Sequence, residues 1–89
     1  MARYEVTDPE QGSFANVEAN AEIFFQLGMK YSIGRDVSVD YIEAHKWFNL
    51  AAMRGNRSAV EYRQELAEEM SRADIANAQR AARDYLQLH

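Results

Sequence analysis

Apolar residues recur along most of this chain at steps of three and four, the spacing that places side chains on one face of an α-helix. In the first such run the recurring residues are Phe14, Val17, Ala21, Phe24 or Phe25, Gly28 and Tyr31. Only one proline, Pro9, and four glycines interrupt the 89 residues, so long stretches are free to be helical. The pattern predicts an all-α fold.

Residues that start or end helices divide the pattern into four predicted helices. We expect the first over about residues 14–32, after an N-cap at Ser13, with Gly34 ending it in a left-handed conformation. The second begins at Asp40, with Ser38 as a competing cap, and ends at Gly55. Asn56 caps the third, near residues 57–70, and a start at Ser71 opens the fourth, near residues 72–87. Asp40 with Glu43, and Ser71 with Asp74, resemble capping boxes.

The predicted organisation is one helical-repeat domain over residues 13–89 behind a flexible segment of residues 1–12. The repeat is expected at about residues 21–56 and a closing helix pair at about residues 57–88. Short connections predict antiparallel neighbours. Gly28 lies inside the first helix, where glycine costs about 1 kcal/mol relative to alanine. A neighbouring helix that approaches closely would explain this glycine.

Composition excludes several classes of function. The chain has no cysteine, which removes disulfides and thiol chemistry and is typical of a cytoplasmic protein. No apolar run approaches the roughly 20 residues that cross a bilayer, and residues 1–10 lack the apolar core of an export signal. The net charge of −4 argues against nucleic acid as a partner. Basic residues concentrate in the second half, and eight of the ten are arginine.

No catalytic or metal-binding constellation is recognisable, so neither an enzyme nor a cofactor is predicted. His45 has only His89 as a fellow histidine, and a lone helical histidine is usually structural or solvent-facing. Asp36 and Asp40 lack the twelve-residue ligand series of a calcium loop. The segment from Gly28 to Gly34 lacks the lysine of a phosphate loop.

The strongest motif runs from Ala21 to Ala59. Its members are Ala21, Leu27, Gly28, Tyr31, Gly34, Val37, Asp40, Ala44, Trp47, Ala51, Ala52, Gly55 and Ala59. The motif resembles the Sel-one-like repeat, a relative of the tetratricopeptide repeat, and residues 59–86 resemble the helices that close such arrays. It departs from the family at Arg35–Asp36, where a second loop glycine is common, and at His45. The resemblance implies a short α/α superhelix of about four antiparallel helices that serves as a protein-interaction adaptor.

Two groups of residues are candidates for partner binding. Tyr31, Tyr41 and Phe48 would form an aromatic surface, although aromatic residues at helical spacing are more often core. Tyr85, Leu86, Leu88 and His89 form an apolar end, which is either packed against the third helix or free as a recognition tag. ATP-dependent proteases engage apolar ends of this kind, and the chain resembles small bacterial activators of the Lon protease in length, build and tail. The alternative function is a self-associating structural module, since a short repeat array leaves apolar faces uncovered.

Overall fold

A computed structural model describes the backbone of residues 9–88 and the side chains of residues 20–88. This part of the chain forms four α-helices: α1 (Pro9–Ile33), α2 (Tyr41–Met53), α3 (Arg57–Ala67) and α4 (Arg72–Leu88). No strand occurs among residues 9–88. The predicted all-α fold class is therefore confirmed.

Two predicted helix boundaries were wrong. Helix α1 begins at Pro9, so Ser13 lies inside the helix and residues 9–12 are helical. Proline suits the first position of a helix because the N–H that it lacks would have no partner there. Helix α3 ends at Ala67, because the next residues form a tighter turn in which Glu69 N–H donates to the Leu66 carbonyl. Residues 1–8 lie outside the described part of the chain.

The N-caps predicted for the other three helices are confirmed by their hydrogen bonds. Asp40 accepts from the backbone N–H of Glu43 at 3.1 Å, and Asn56 accepts from that of Ala59 at 2.9 Å. Ser71 accepts from the N–H of Asp74 at 3.0 Å. Each cap satisfies a donor that the first turn of a helix leaves without an intrahelical partner. The structure uses Asp40 rather than Ser38 at the start of α2.

The connection between α1 and α2 contains two residues in the left-handed region. Gly34 has φ +76°, and the N–H groups of Gly34 and Arg35 both donate to the Lys30 carbonyl. Asp36 has φ +65°, a conformation that glycine adopts without strain and aspartate tolerates. A left-handed residue thus stands in the Arg35–Asp36 segment of this connection.

Helix α2 is the centre of the fold, since α1, α3 and α4 all pack against it. Two groups of three aromatic rings make these contacts. The first junction consists of Phe24, Trp47 and Tyr85, from α1, α2 and α4, with ring centroids 5.3–5.8 Å apart. The second junction consists of Phe25, Phe48 and Tyr62, from α1, α2 and α3, with centroids 5.5–5.7 Å apart.

The two junctions use consecutive residues of α1 and consecutive residues of α2. Neighbouring positions on a helix point about 100° apart, so each pair of rings reaches two different third helices. Buried alanines lie among the rings and let the helices approach closely. They are Ala44, Ala51, Ala59 and Ala82, which belong to the same core cluster as Phe24 and Phe48.

Gly28 lies where α1 approaches α2 closely. A Cβ atom placed on Gly28 would lie 2.5 Å from Cδ1 and 2.6 Å from Cε1 of Phe48. The face of the glycine is therefore occupied by the Phe48 ring, which is 1% exposed. This contact confirms the close approach that the interior glycine predicted.

We expect Gly28→Ala to lower the free energy of unfolding by about 1–3 kcal/mol, because the added methyl group overpacks the Phe48 ring. Urea denaturation measures the change. In a Phe48→Leu background, which removes the ring, the same substitution should be less damaging. Stabilisation by about 1 kcal/mol, as at an uncrowded interior helix glycine, would contradict the contact.

At position 36 a glycine variant should be more stable than an alanine variant, the reverse of their usual order in a helix. With φ +65°, Asp36→Gly is expected to be about 1 kcal/mol more stable than Asp36→Ala, since only alanine is strained in this region. The two variants are compared by urea denaturation under identical conditions. An alanine variant as stable as the glycine variant would show that the loop does not require the left-handed conformation.

Candidate functional site

The terminal residues that were predicted to form one apolar group differ in their burial in the final turn of α4. Tyr85 packs edge-on against Phe24 and Trp47, at centroid distances of 5.8 and 5.3 Å. Leu86 is half-buried against the core. Leu88 is 80% exposed, and His89 lies outside the described residues. The turn is therefore anchored by two residues and presents a third, Leu88, to solvent.

The three aromatic residues predicted as candidates for partner binding also differ in their exposure. Phe48 is a core residue, which corrects its place among the partner-binding residues, because a ring exposed by 1% has no surface to offer. Tyr31 is half-buried and packs on the core. Tyr41, the first residue of α2, is 37% exposed. Of the three residues, only Tyr41 is thus exposed.

Most residues of the motif from Ala21 to Ala59 are at least half-buried or lie at helix ends. Gly28 faces Phe48, and the motif alanines Ala44, Ala51 and Ala59 are fully buried. Leu27, Trp47 and Ala52 are half-buried. Gly34 and Gly55 are left-handed residues at helix ends, and Asp40 is a cap. The motif therefore builds the frame that holds the surface residues, and contributes little exposed surface of its own.

Several exposed apolar side chains were not predicted from the sequence. They are Ile23, Ile33, Val39, Met53 and Tyr62. Ile23 lies outside the apolar stripe that contains Phe24. Its exposure could have been predicted from this departure from helical spacing. Ile33 and Val39 flank the connection after α1, where periodicity gives no information about exposure.

A polar network not predicted from the sequence holds the indole of Trp47. Glu43 Oε1 accepts from Trp47 Nε1 at 3.1 Å, and the Lys46 ammonium lies 3.1 Å from the same oxygen. Lys46 Nζ also sits 4.3 Å from the Trp47 ring centroid, in a cation–π arrangement. The Glu43 carboxylate therefore satisfies the indole instead of returning to the N-terminus of α2 as a capping box would require. The spacing of acid, lysine and tryptophan at i, i+3 and i+4 is the signal for this network.

His45 is buried, with an exposure of 3%, on the side of α2 near α3. Its Nδ1 has no hydrogen-bond partner among the described residues. Close by in sequence, Asn49 Oδ1 accepts from Arg63 Nη1 and links α2 to α3. Desolvation lowers the pKa of His45, and the positive charge of Arg63 lowers it further. Burial and the charge of Arg63 both favour the neutral form of His45.

This burial predicts that acid destabilises the fold. Because the folded pKa of His45 lies below the unfolded value of 6.5, the unfolded chain binds more protons as the pH falls through 6.5. Stability should be constant well above pH 6.5 and should decrease below it, by at most about 1.4 kcal/mol per pH unit from this residue. Denaturation curves of His89→Ala, with and without His45→Met, isolate the effect. An identical decrease in both proteins would exclude His45 as its origin.

Between residues 20 and 88, no three histidine, aspartate or glutamate side chains are grouped in a way that could hold a metal ion. No helix in the described part of the chain is both long and apolar enough to cross a membrane. No protein-family model, curated protein or solved structure matches the chain.

Proposed function

We propose that this chain is an adaptor that binds a partner protein through the final turn of α4 and carries out no chemistry of its own. The partner in this proposal is an ATP-dependent protease of the Lon type, whose degradation of other substrates the adaptor stimulates. The observation that carries the proposal is Leu88, an 80% exposed leucine at the end of a helix anchored by Tyr85 and Leu86.

An anchored apolar side chain suits recognition for energetic reasons. Burial of a whole leucine side chain contributes about 1.5–3 kcal/mol, which corresponds to roughly a tenfold to hundredfold gain in affinity. The rings of Phe24 and Trp47 already order the helix through Tyr85, so binding orders few additional groups. A partner that receives Leu88 therefore loses little of this gain to conformational entropy.

The choice of partner rests on resemblance. The repeat motif is similar to that of Sel-one-like adaptors, and length, single-repeat build and terminal sequence are similar to those of the small bacterial Lon activator LarA. Stimulation of a protease requires that the adaptor bind its active state more tightly than its resting state. An adaptor that bound both states equally would occupy the protease without changing its rate.

Leu88→Glu should weaken binding to purified Lon at least tenfold and remove stimulation, because a charged side chain replaces the apolar contact. Binding is measured by fluorescence anisotropy of the labelled chain, and stimulation by the degradation rate of an unrelated substrate. Circular dichroism should show an unchanged fold, since Leu88 is exposed.

Ile33→Glu is the matched control, because Ile33 is 58% exposed at the end of α1 rather than on α4. This variant should bind and stimulate as the wild type does. Equal binding by Leu88→Glu would eliminate the α4 contact. Degradation of the chain itself without faster degradation of the second substrate would make it a substrate and not an activator.

A further inference from the structure

The acidic side chains of the α3 region form one exposed stripe. Glu61 and Glu65 lie one helical turn apart, and Glu68 follows after nearly another turn, at the C-cap of α3. Glu69 extends the stripe into the turn after the helix. All four side chains are exposed.

The arginines of α4 form a second exposed stripe, which we call the arginine stripe, as we call the first the glutamate stripe. Arg80 and Arg83 follow Arg72 by eight and eleven residues, spacings that return to within about 80° of the same side of a helix. All three are exposed, and so are Ala73 and Ala76 between them. The opposite face of α4 is the one that buries Ala78 and Ala82 in the core.

Neither stripe is accounted for by stabilisation within the chain. Glu68 and Glu69 follow the C-terminus of α3, and Arg72 is the first residue of α4, so the helix dipoles oppose all three charges. Glu61 and Glu65 are like charges at i and i+4, which destabilises a helix by about 0.2–0.5 kcal/mol. Among residues 20–88 none of the seven side chains forms an ion pair, and Arg80 donates to Asn77.

We propose that the glutamate stripe of one copy of this chain docks against the arginine stripe of a second copy. At about 1.5 Å per residue, Glu61–Glu68 spans about 10 Å and Arg72–Arg83 about 16 Å, so the charges can pair along both stripes. The exposed alanines of α4 leave space for a facing helix to approach. This surface is distinct from Leu88 and goes beyond the proposed function.

The association is weak and sensitive to salt. Each exposed ion pair contributes about 0–1 kcal/mol, and several must form together to hold two copies. Arginine suits the contact because its planar guanidinium can bind a carboxylate through two hydrogen bonds. Salt screens pairs of this kind, since the Debye length falls from about 30 Å at 0.01 M to about 3 Å at 1 M.

Charge reversal in two matched variants tests the contact by sedimentation at low and high salt. Glu61→Arg/Glu65→Arg/Glu68→Arg makes both stripes basic, and Arg80→Glu/Arg83→Glu makes both acidic. The wild type should associate at low salt, with an apparent Kd at least tenfold higher at high salt. Each variant alone should be monomeric, whereas an equimolar mixture should associate because its stripes are complementary again.

Lys30→Glu/Arg35→Glu is the control, since it makes the same change in net charge as the acidic variant but at the α1–α2 connection. It should associate as the wild type does. Circular dichroism establishes that each variant is folded, and a chain with both stripes reversed should regain self-association. A wild type that is monomeric at low salt, or a variant mixture that stays monomeric while its components are folded, would overturn the proposal.

Discussion

The contact between Gly28 and the Phe48 ring brings α1 against α2, and the rest of the structure depends on it. Without a Cβ atom in the way, the ring fills the space above the glycine and becomes almost completely buried. The same approach brings the two adjacent phenylalanines of α1 level with Trp47 and Phe48. The two ring pairs then diverge, one toward α4 and the other toward α3, so the packing of two helices determines where the other two bind.

The elements of this frame could be predicted because their causes are local or periodic. Asp40, Asn56 and Ser71 cap the helices that follow them, and buried alanines recur at helical steps. The predictions that failed concern features that depend on tertiary contacts or on weak local signals. Phe48 was a surface candidate because spacing alone cannot say which ring of a stripe another helix covers. Helix α1 starts earlier than predicted. The prediction failed because proline both interrupts helices and favours their first position, so Pro9 is compatible with either.

Prediction of the candidate site from the sequence has the same limit. The terminal residues were predicted as one apolar group, but Tyr85 joins an aromatic junction and Leu88 remains outside. Residues three apart lie on neighbouring sides of a helix, so the helical period does not separate them; they differ because Tyr85 contacts Phe24 and Trp47, whereas Leu88 lies beyond these contacts. The burial of His45 and the bond from the Trp47 indole to Glu43 likewise depend on which helices pack against α2. Helix α4 thus packs against the core with one face, and its other side chains are exposed.

The central claim is that α2 holds α1, α3 and α4 together through two separate aromatic junctions. Nuclear Overhauser effects between aromatic protons in solution test this claim directly, and Trp47 is the only tryptophan, so its signals are unambiguous. The account predicts contacts from the Trp47 indole to Phe24 and Tyr85, and from Phe48 to Phe25 and Tyr62. Indole contacts to Tyr62 in place of Tyr85, or no contact between α2 and α4, would contradict it.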